Sequence, residues 1–212
     1  MRQGRFITIE GSEGAGKSTN IAVVEATLRE SGIEFVSTRE PGGTPMAEAL
    51  RRLVLEERDE PVDPLTELLL MFAARKQHVE NLIQPALAAG KWVVCDRFTD
   101  ATFAYQGGGR QMPLERIATL ENWIQGSLRP HLTLYFDVAP EVGASRISTR
   151  AKDRVEQESG DFFERVRNAY LQRLAANPNM HLIDASVDLE AVQMAVAEQI
   201  SAFVARTRET DQ

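Results

Sequence analysis

Short apolar runs alternate with longer stretches of helical periodicity along the 212-residue chain. Phe6, Ile7 and Ile9 make the first run and predict a strand. Over residues 17–30, Ile21, Val24 and Leu28 recur at helical spacing, and Ser31-Gly32 ends that helix. Residues 33–38 predict a second strand, closed by the turn Arg39-Glu40-Pro41-Gly42-Gly43-Thr44. A helix over 45–57 follows, with Met46, Leu50, Leu53 and Val54 inward, then a charged, proline-bearing loop over 58–64. Residues 65–89 read as helix, with Pro85 a kink or break and Gly90 a stop.

Trp92-Val93-Val94-Cys95 is continuously apolar, as a strand covered on both faces should be. Residues 98–112 predict a flexible connection around Gly107-Gly108-Gly109. A helix over 113–127 is striped by Leu114, Ile117, Leu120 and Ile124, and residues 132–138 form a fourth strand. Pro140-Glu141 opens a helix that runs into the charged segment 150–161. Helix 162–176, strand 181–184 and a last helix striped by Leu189, Val192, Val196, Ile200 and Phe203 complete the chain. Five strands alternating with helices predict a parallel sheet with helices on both faces, binding its ligand beyond the carboxyl ends of the strands.

The polar residues that follow the strands change this picture most. In the stretch FITIEGSEGAGKST, residues 6–19, Gly11, Gly16, Lys17 and Ser18 fit G-x-x-x-x-G-K-[ST], the phosphate-binding P-loop. Ser12, Glu13, Gly14 and Ala15 fill its variable positions, and Thr19 continues into the helix. Glycines let successive backbone N–H groups converge on phosphate oxygens, and the helix points its positive end at the same anion. Lys17 reaches the outer phosphates, and the Ser18 hydroxyl suits Mg²⁺. A nucleotide binder follows.

Asp96 and Asp137 both end strands, and either could be the acidic partner of Mg²⁺; the rim position beside Arg97 favours Asp96, while Asp137 could serve a local cap. Arg39 and Arg97 follow strands and suit a second phosphate, against the alternative of surface ion pairs. Phe72 and Arg75 share a helix face and could sandwich and bond a planar base, although Phe72 also reads as plain core. No basic residue occupies positions 12–15, so a transition-state cation would come from elsewhere, and Arg150 and Arg154 are the candidate donors. His78, His131 and His181 lack ligand spacing.

Composition adds bounds rather than chemistry. The length suits one domain spanning 1–212, with a lid segment at about 148–161. A net charge of −7 argues against nucleic acid or an anionic membrane as partner. A single cysteine, the lack of a signal-peptide pattern and the absence of a long apolar run predict a cytoplasmic protein.

FITIEGSEGAGKST, TREPGGT (38–44), LMFAAR (70–75), VVCDRF (93–98), TFAYQGGGR (102–110) and DRVEQE (153–158), in that order, resemble the thymidylate kinases. The resemblance spans nearly the whole chain. It implies a nucleoside-monophosphate-kinase-like P-loop fold, ATP as phosphoryl donor with Mg²⁺, dTMP as acceptor, and a homodimer. It further implies that Glu13 meets the acceptor's sugar 3′-hydroxyl and that Arg39 and Arg97 meet its phosphate. Phe72 would stack on thymine, Arg75 would bond its exocyclic oxygen, and Thr102 and Gln106 would complete the pocket. Tyr105 would crowd the sugar 2′ position, and Arg150 and Arg154 match the lid arginines of the bacterial subgroup. The readings that compete are a P-loop kinase for another small acceptor and a nucleotide-dependent switch. A GTPase switch would carry a guanine-reading motif such as N-K-x-D, which this chain lacks.

Overall fold

A computed structural model describes residues 4–147 and 153–210. Its strands are β1 (Phe6–Gly11), β2 (Phe35–Arg39), β3 (Trp92–Asp96), β4 (Leu132–Asp137) and β5 (Met180–Asp184). They form one parallel sheet in the order β2-β3-β1-β4-β5. The expected α/β architecture is present.

All six residues of β1 are buried, because the central strand is covered on both faces. Ile7, Ile9 and Val94 pack with Val24 and Leu28 of α1 (Lys17–Glu30) and Val196 and Ile200 of α9 (Leu189–Thr210). On the other face Phe6, Val93 and Cys95 pack with Phe98, Val79 and Ile83. Each fully buried aliphatic or aromatic side chain there contributes about 1.5–3 kcal/mol. The chain order reverses on either side of β1, which places a crevice at the carboxyl ends of β1 and β3.

Several expectations shift by a residue or two. The second strand begins at Phe35 rather than 33, and α2 (Pro45–Leu55) ends before Glu57. Ala47 and Val54 are the buried side of α2, whereas Met46 and Leu53, expected inward, are exposed. Leu114 and Leu189 are likewise exposed at the starts of α6 (Leu114–Gln125) and α9. α3 (Pro64–His78), a π-helical turn over Val79–Ile83 and α4 (Gln84–Ala88) run on without leaving helical geometry, so the helix expected over 65–89 is present and the π-turn just before Pro85 is its irregularity.

The larger correction concerns residues 98–112. Residues 99–109 of this stretch are helical and mostly buried: α5 (Thr99–Thr102) is continued by a π-helical segment over Phe103–Gly109. The glycines there serve close packing against α8 (Gly160–Ala176). A Cβ on Gly108 would lie 2.7 Å from Ala169 Cβ and from the Arg165 carbonyl, and one on Gly109 would lie 2.4 Å from the Phe162 ring. Arg165 also donates to the Gly109 carbonyl at 3.1 Å. Three consecutive glycines look flexible in one dimension, but here they let two backbones touch.

Candidate active site

The P-loop joins β1 to α1 at the crevice. Gly16 caps α1 at φ 81°, and Gly14, at φ 73°, lies so near α7 (Pro140–Arg146) that a Cβ would sit 2.1 Å from the Gly143 carbonyl oxygen. Lys17 Nζ donates to the Gly11 and Ser12 carbonyls, both at 3.0 Å. Burial and the neighbouring Arg97 charge pull its pKa down to about 8. Ser12 is buried, and Gly14, Ala15, Gly16, Lys17, Ser18 and Thr19 wall a cleft of about 630 Å³.

Arg97 leaves β3 at φ 68°, a left-handed conformation that side chains seldom adopt outside functional sites. Its guanidinium donates to Glu13 Oε1 at 2.6 Å and lies 4.9 Å from the Tyr105 ring centre. Tyr105 donates its hydroxyl to the other Glu13 oxygen. Burial alone would raise the Glu13 carboxyl, but Arg97, Lys17 and the Tyr105 bond hold it below its ordinary value. Burial, opposed by Arg97 and reinforced by Glu13, drives the Tyr105 hydroxyl well up, so it stays a donor. Glu13 and Arg97 line the 630 Å³ cleft and also a second, smaller cavity of about 90 Å³.

Gln106 and Tyr105 face that second cavity from the π-helical segment. Arg75 stands behind it, buried, bonded to Glu40 at 2.7 Å, to the Phe98 carbonyl at 3.1 Å and to Thr102 Oγ1 at 2.9 Å. Its guanidinium carbon is 4.9 Å from the Phe72 ring, which packs in the core with Leu68, Phe103 and Ile117. The structure thus places Tyr105 and Gln106 on the small cavity and joins Phe72, Arg75 and Thr102 to one another in the core behind it, where they line neither cavity. Arg39 is set apart: it is half-exposed, pairs with Glu48 at 3.0 Å, and lines neither cavity.

Residues 153–158 fold back over the acceptor side. Arg154 donates through Nε to the Val54 carbonyl at 3.0 Å and through Nη2 to Glu67 at 2.5 Å, while Asp153 and Val155 close the small cavity. Arg154 therefore stands away from the P-loop in this structure. Arg150 lies outside the described residues.

Asp137 is taken by Arg167, with both contacts at 2.8 Å, and by the Tyr135 hydroxyl; it makes no helix cap. Asp96 lines the large cleft with Lys17 and Ser18, and its Oδ1 is buried without a hydrogen-bond partner. An oxygen-only pair, a carboxylate and a hydroxyl beside a phosphate cradle, fits Mg²⁺. Among the described residues no cluster of three or more His, Cys, Asp or Glu side chains could hold a metal alone, so phosphate oxygens would complete the shell.

Sequence reasoning missed Arg51, Glu67, Arg110 and Arg146. Arg51 borders both cavities, and burial together with the Arg39 charge lowers its pKa. It shares the inward stripe of α2 with Ala47 and Val54, four and three residues away, and that spacing is the signal that marks it. Arg146 reaches the Gly14 and Ala185 carbonyls at the large cleft. Glu67, Arg75 and His78 lie along one buried line of α3, so acidic and basic residues on an inward helical stripe were its legible sign. His78 bridges Glu40 and Thr38, and His131 accepts from the Phe6 amide; both are structural.

A family model described as thymidylate kinase matches residues 9–196. A protein named thymidylate kinase from Pseudomonas putida (strain GB-1) is 56% identical over 97% of this chain and 99% of its own length. One from Nitrosomonas europaea is 54% identical over 96% of this chain and 95% of its own, and one from Teredinibacter turnerae is 52% identical over 95% and 99%.

Proposed function

We propose, from the premise that this chain belongs to the thymidylate kinase family, that the two cavities are the donor and acceptor halves of one active site. The enzyme phosphorylates dTMP to dTDP with ATP. One observation carries the assignment of halves: Glu13 and Arg97 belong to both cavities, so a donor and an acceptor phosphate would meet at the same guanidinium.

The P-loop amides and Lys17 hold the donor phosphates. Lys17 exchanges its two carbonyl partners for phosphate oxygens, a stronger, charge-assisted contact. Ser18 and Asp96 would hold Mg²⁺, which supplies charge neutralisation on those phosphates. Arg97 takes the acceptor phosphate, and its strained backbone and the Glu13 pair fix its direction. Arg39, repointed from Glu48, and Arg51 add positive charge on the same side. Glu13 accepts from the sugar 3′-hydroxyl, while the Tyr105 ring occupies the space of a 2′-hydroxyl. Phe72, Arg75, Thr102 and Gln106 receive the base. Catalysis is then alignment of the two phosphates for in-line transfer and neutralisation of the charge that spreads over them.

The 90 Å³ cavity is small beside ordinary ligand pockets of about 300–1,000 Å³. The lid segment, at about 148–161 of a single domain, must therefore lift to admit the acceptor and then close. On closing, Arg154, with Arg150, delivers positive charge to the transferring group. Met46 and Leu53 on α2 and Leu65 and Leu69 on α3 are exposed apolar side chains on two helices that pack against each other, which supports a homodimer. The free, buried Cys95 suits a reducing cytoplasm, and no helix among the described residues is long and apolar enough to cross a membrane.

The test is coupled ADP release with dTMP, dUMP, dCMP, AMP and GMP as acceptors. The highest kcat/KM belongs to dTMP. A clear preference for AMP or GMP replaces the acceptor assignment, and ATP binding with no turnover of any acceptor returns the chain to the switch reading.

A further inference from the structure

Two buried polar atoms near the base pocket lack any partner within the protein: Arg75 Nη1 and Gln106 Oε1. Arg75 is 1% exposed and Gln106 4%, so water does not compensate them freely. One is a donor and the other an acceptor. Gln106 lines the small cavity, and its free oxygen there suits a ring edge that presents an N–H, as N3 of a 4-oxo pyrimidine does; cytosine presents a bare ring nitrogen at that place.

The polarity of Gln106 is not its own choice. Its Nε2 donates to Glu67 Oε1 at 2.9 Å. Glu67 is a buried carboxylate on α3 that also receives Arg110 through Nε at 3.2 Å on Oε1 and Nη2 at 3.2 Å on Oε2, and Arg154 Nη2 at 2.5 Å. Glu158 balances Arg110 from the far side. Burial alone would raise the Glu67 carboxyl, but the bonds from Arg110, Gln106 and Arg154 hold it below its ordinary value. Glu67 is therefore ionised at neutral pH and can only accept. The amide NH₂ of Gln106 must face it, and the amide oxygen is left for the pocket.

We propose that Glu67 is the positioning residue that sets pyrimidine specificity. By claiming the Gln106 NH₂, it presents the Gln106 oxygen to the N3–H of a 4-oxo pyrimidine and rejects cytosine, whose N3 carries no hydrogen. This rests on the acceptor assignment above and adds the reason for its selectivity.

The test is Glu67→Gln, with kcat/KM measured for dTMP, dUMP and dCMP. Of the three arginine donors on Glu67, Arg110 Nη2 and Arg154 Nη2 reach Oε2 and only Arg110 Nε reaches Oε1, so the new amide oxygen is favoured at Oε2 with its NH₂ towards Gln106. Gln106 then turns its own oxygen to that NH₂ and puts a donor into the pocket. The values for dTMP and dUMP fall together by roughly tenfold to a hundredfold, the effect of leaving a buried hydrogen bond unmade. The value for dCMP falls far less or rises, so the dTMP:dCMP ratio shrinks while dTMP:dUMP holds. A common fall in all three, with the dTMP:dCMP ratio kept within about twofold, overturns the proposal and leaves Glu67 a purely structural anchor. If Glu67→Gln does not fold, Gln106→Met removes the same acceptor without a charge change. An unaltered dTMP:dCMP ratio in that variant overturns the proposal equally. Failure of the unsubstituted enzyme to use dTMP or dUMP is a different result: it sinks the acceptor assignment itself.

Discussion

Glu10, next to last in β1 beneath the active site, is wholly buried, yet it carries a carboxyl. It accepts from the Phe98 amide at 2.7 Å and from the Tyr170 hydroxyl at 2.9 Å, and so ties the strand to the Arg97 turn and to α8. Burial first, then the charge of Asp100, raises its pKa to about 7, against the lowering pull of Arg97. An unfolded chain would release that proton near pH 4.5. Between these values the folded protein holds more protons than the unfolded one, so stability falls as pH rises from about 4.5 through about 7 and then levels. The difference amounts to roughly 3 kcal/mol for one group. Glu10→Gln keeps the shape and removes the titration. Urea unfolding at pH 5 and pH 8 should show the variant losing about that much less stability across the interval. Parallel losses in both proteins would remove Glu10 from the account.

At the scale of elements, the proposed mechanism has residues 153–158, before α8, move on closure. Arg154 holds them to the end of α2 and the start of α3 through Val54 and Glu67, and Gln157 adds a contact to Glu57. In that position Arg154 neutralises a protein carboxylate and nothing on a nucleotide. A cation that arrives only on closure stabilises the transition state more than the ground state. Arginines supplied this way accelerate transfer by about 10³–10⁵. Arg154→Ala therefore lowers kcat by about 10²–10⁴ and leaves dTMP affinity within a few-fold. Lysine at 154 restores part of it, lacking the planar fork. Stopped-flow or steady-state assays that find kcat within a few-fold of the parent would return Arg154 to a latch on Glu67.

For the whole molecule, the proposed homodimer rests on the exposed apolar side chains of α2 and α3. Met46 is 57% exposed, Leu53 44%, Leu65 42% and Leu69 50%, and the residues recur at helical spacing on each helix. Burying such side chains against a second copy removes more apolar area from water than an isolated chain can. Sedimentation velocity should give twice the 23.6 kDa chain mass, and Leu69→Glu should shift the protein towards one chain. A sedimentation coefficient that is the same with and without the substitution would exclude this surface as the interface.

The sequence by itself determined the features that depend on neighbours along the chain. The P-loop spacing, the apolar strands and the helix α1 are legible because each follows from residues within a few positions of one another. The order of polar residues after strands also foretold that the P-loop, Asp96 and Arg97 would share one cleft, although Arg39, expected beside them, does not line it. Tertiary structure decided what depends on residues far apart. The three glycines at 107–109 become a packed helix only because α8 lies against them, and α8 begins some fifty residues later. Arg154 and Gln106 are bound to one another's fate through Glu67, which precedes them by 87 and 39 positions. Polar partners across such distances leave no periodic trace, because a hydrogen bond constrains where two atoms meet and not how many residues separate them.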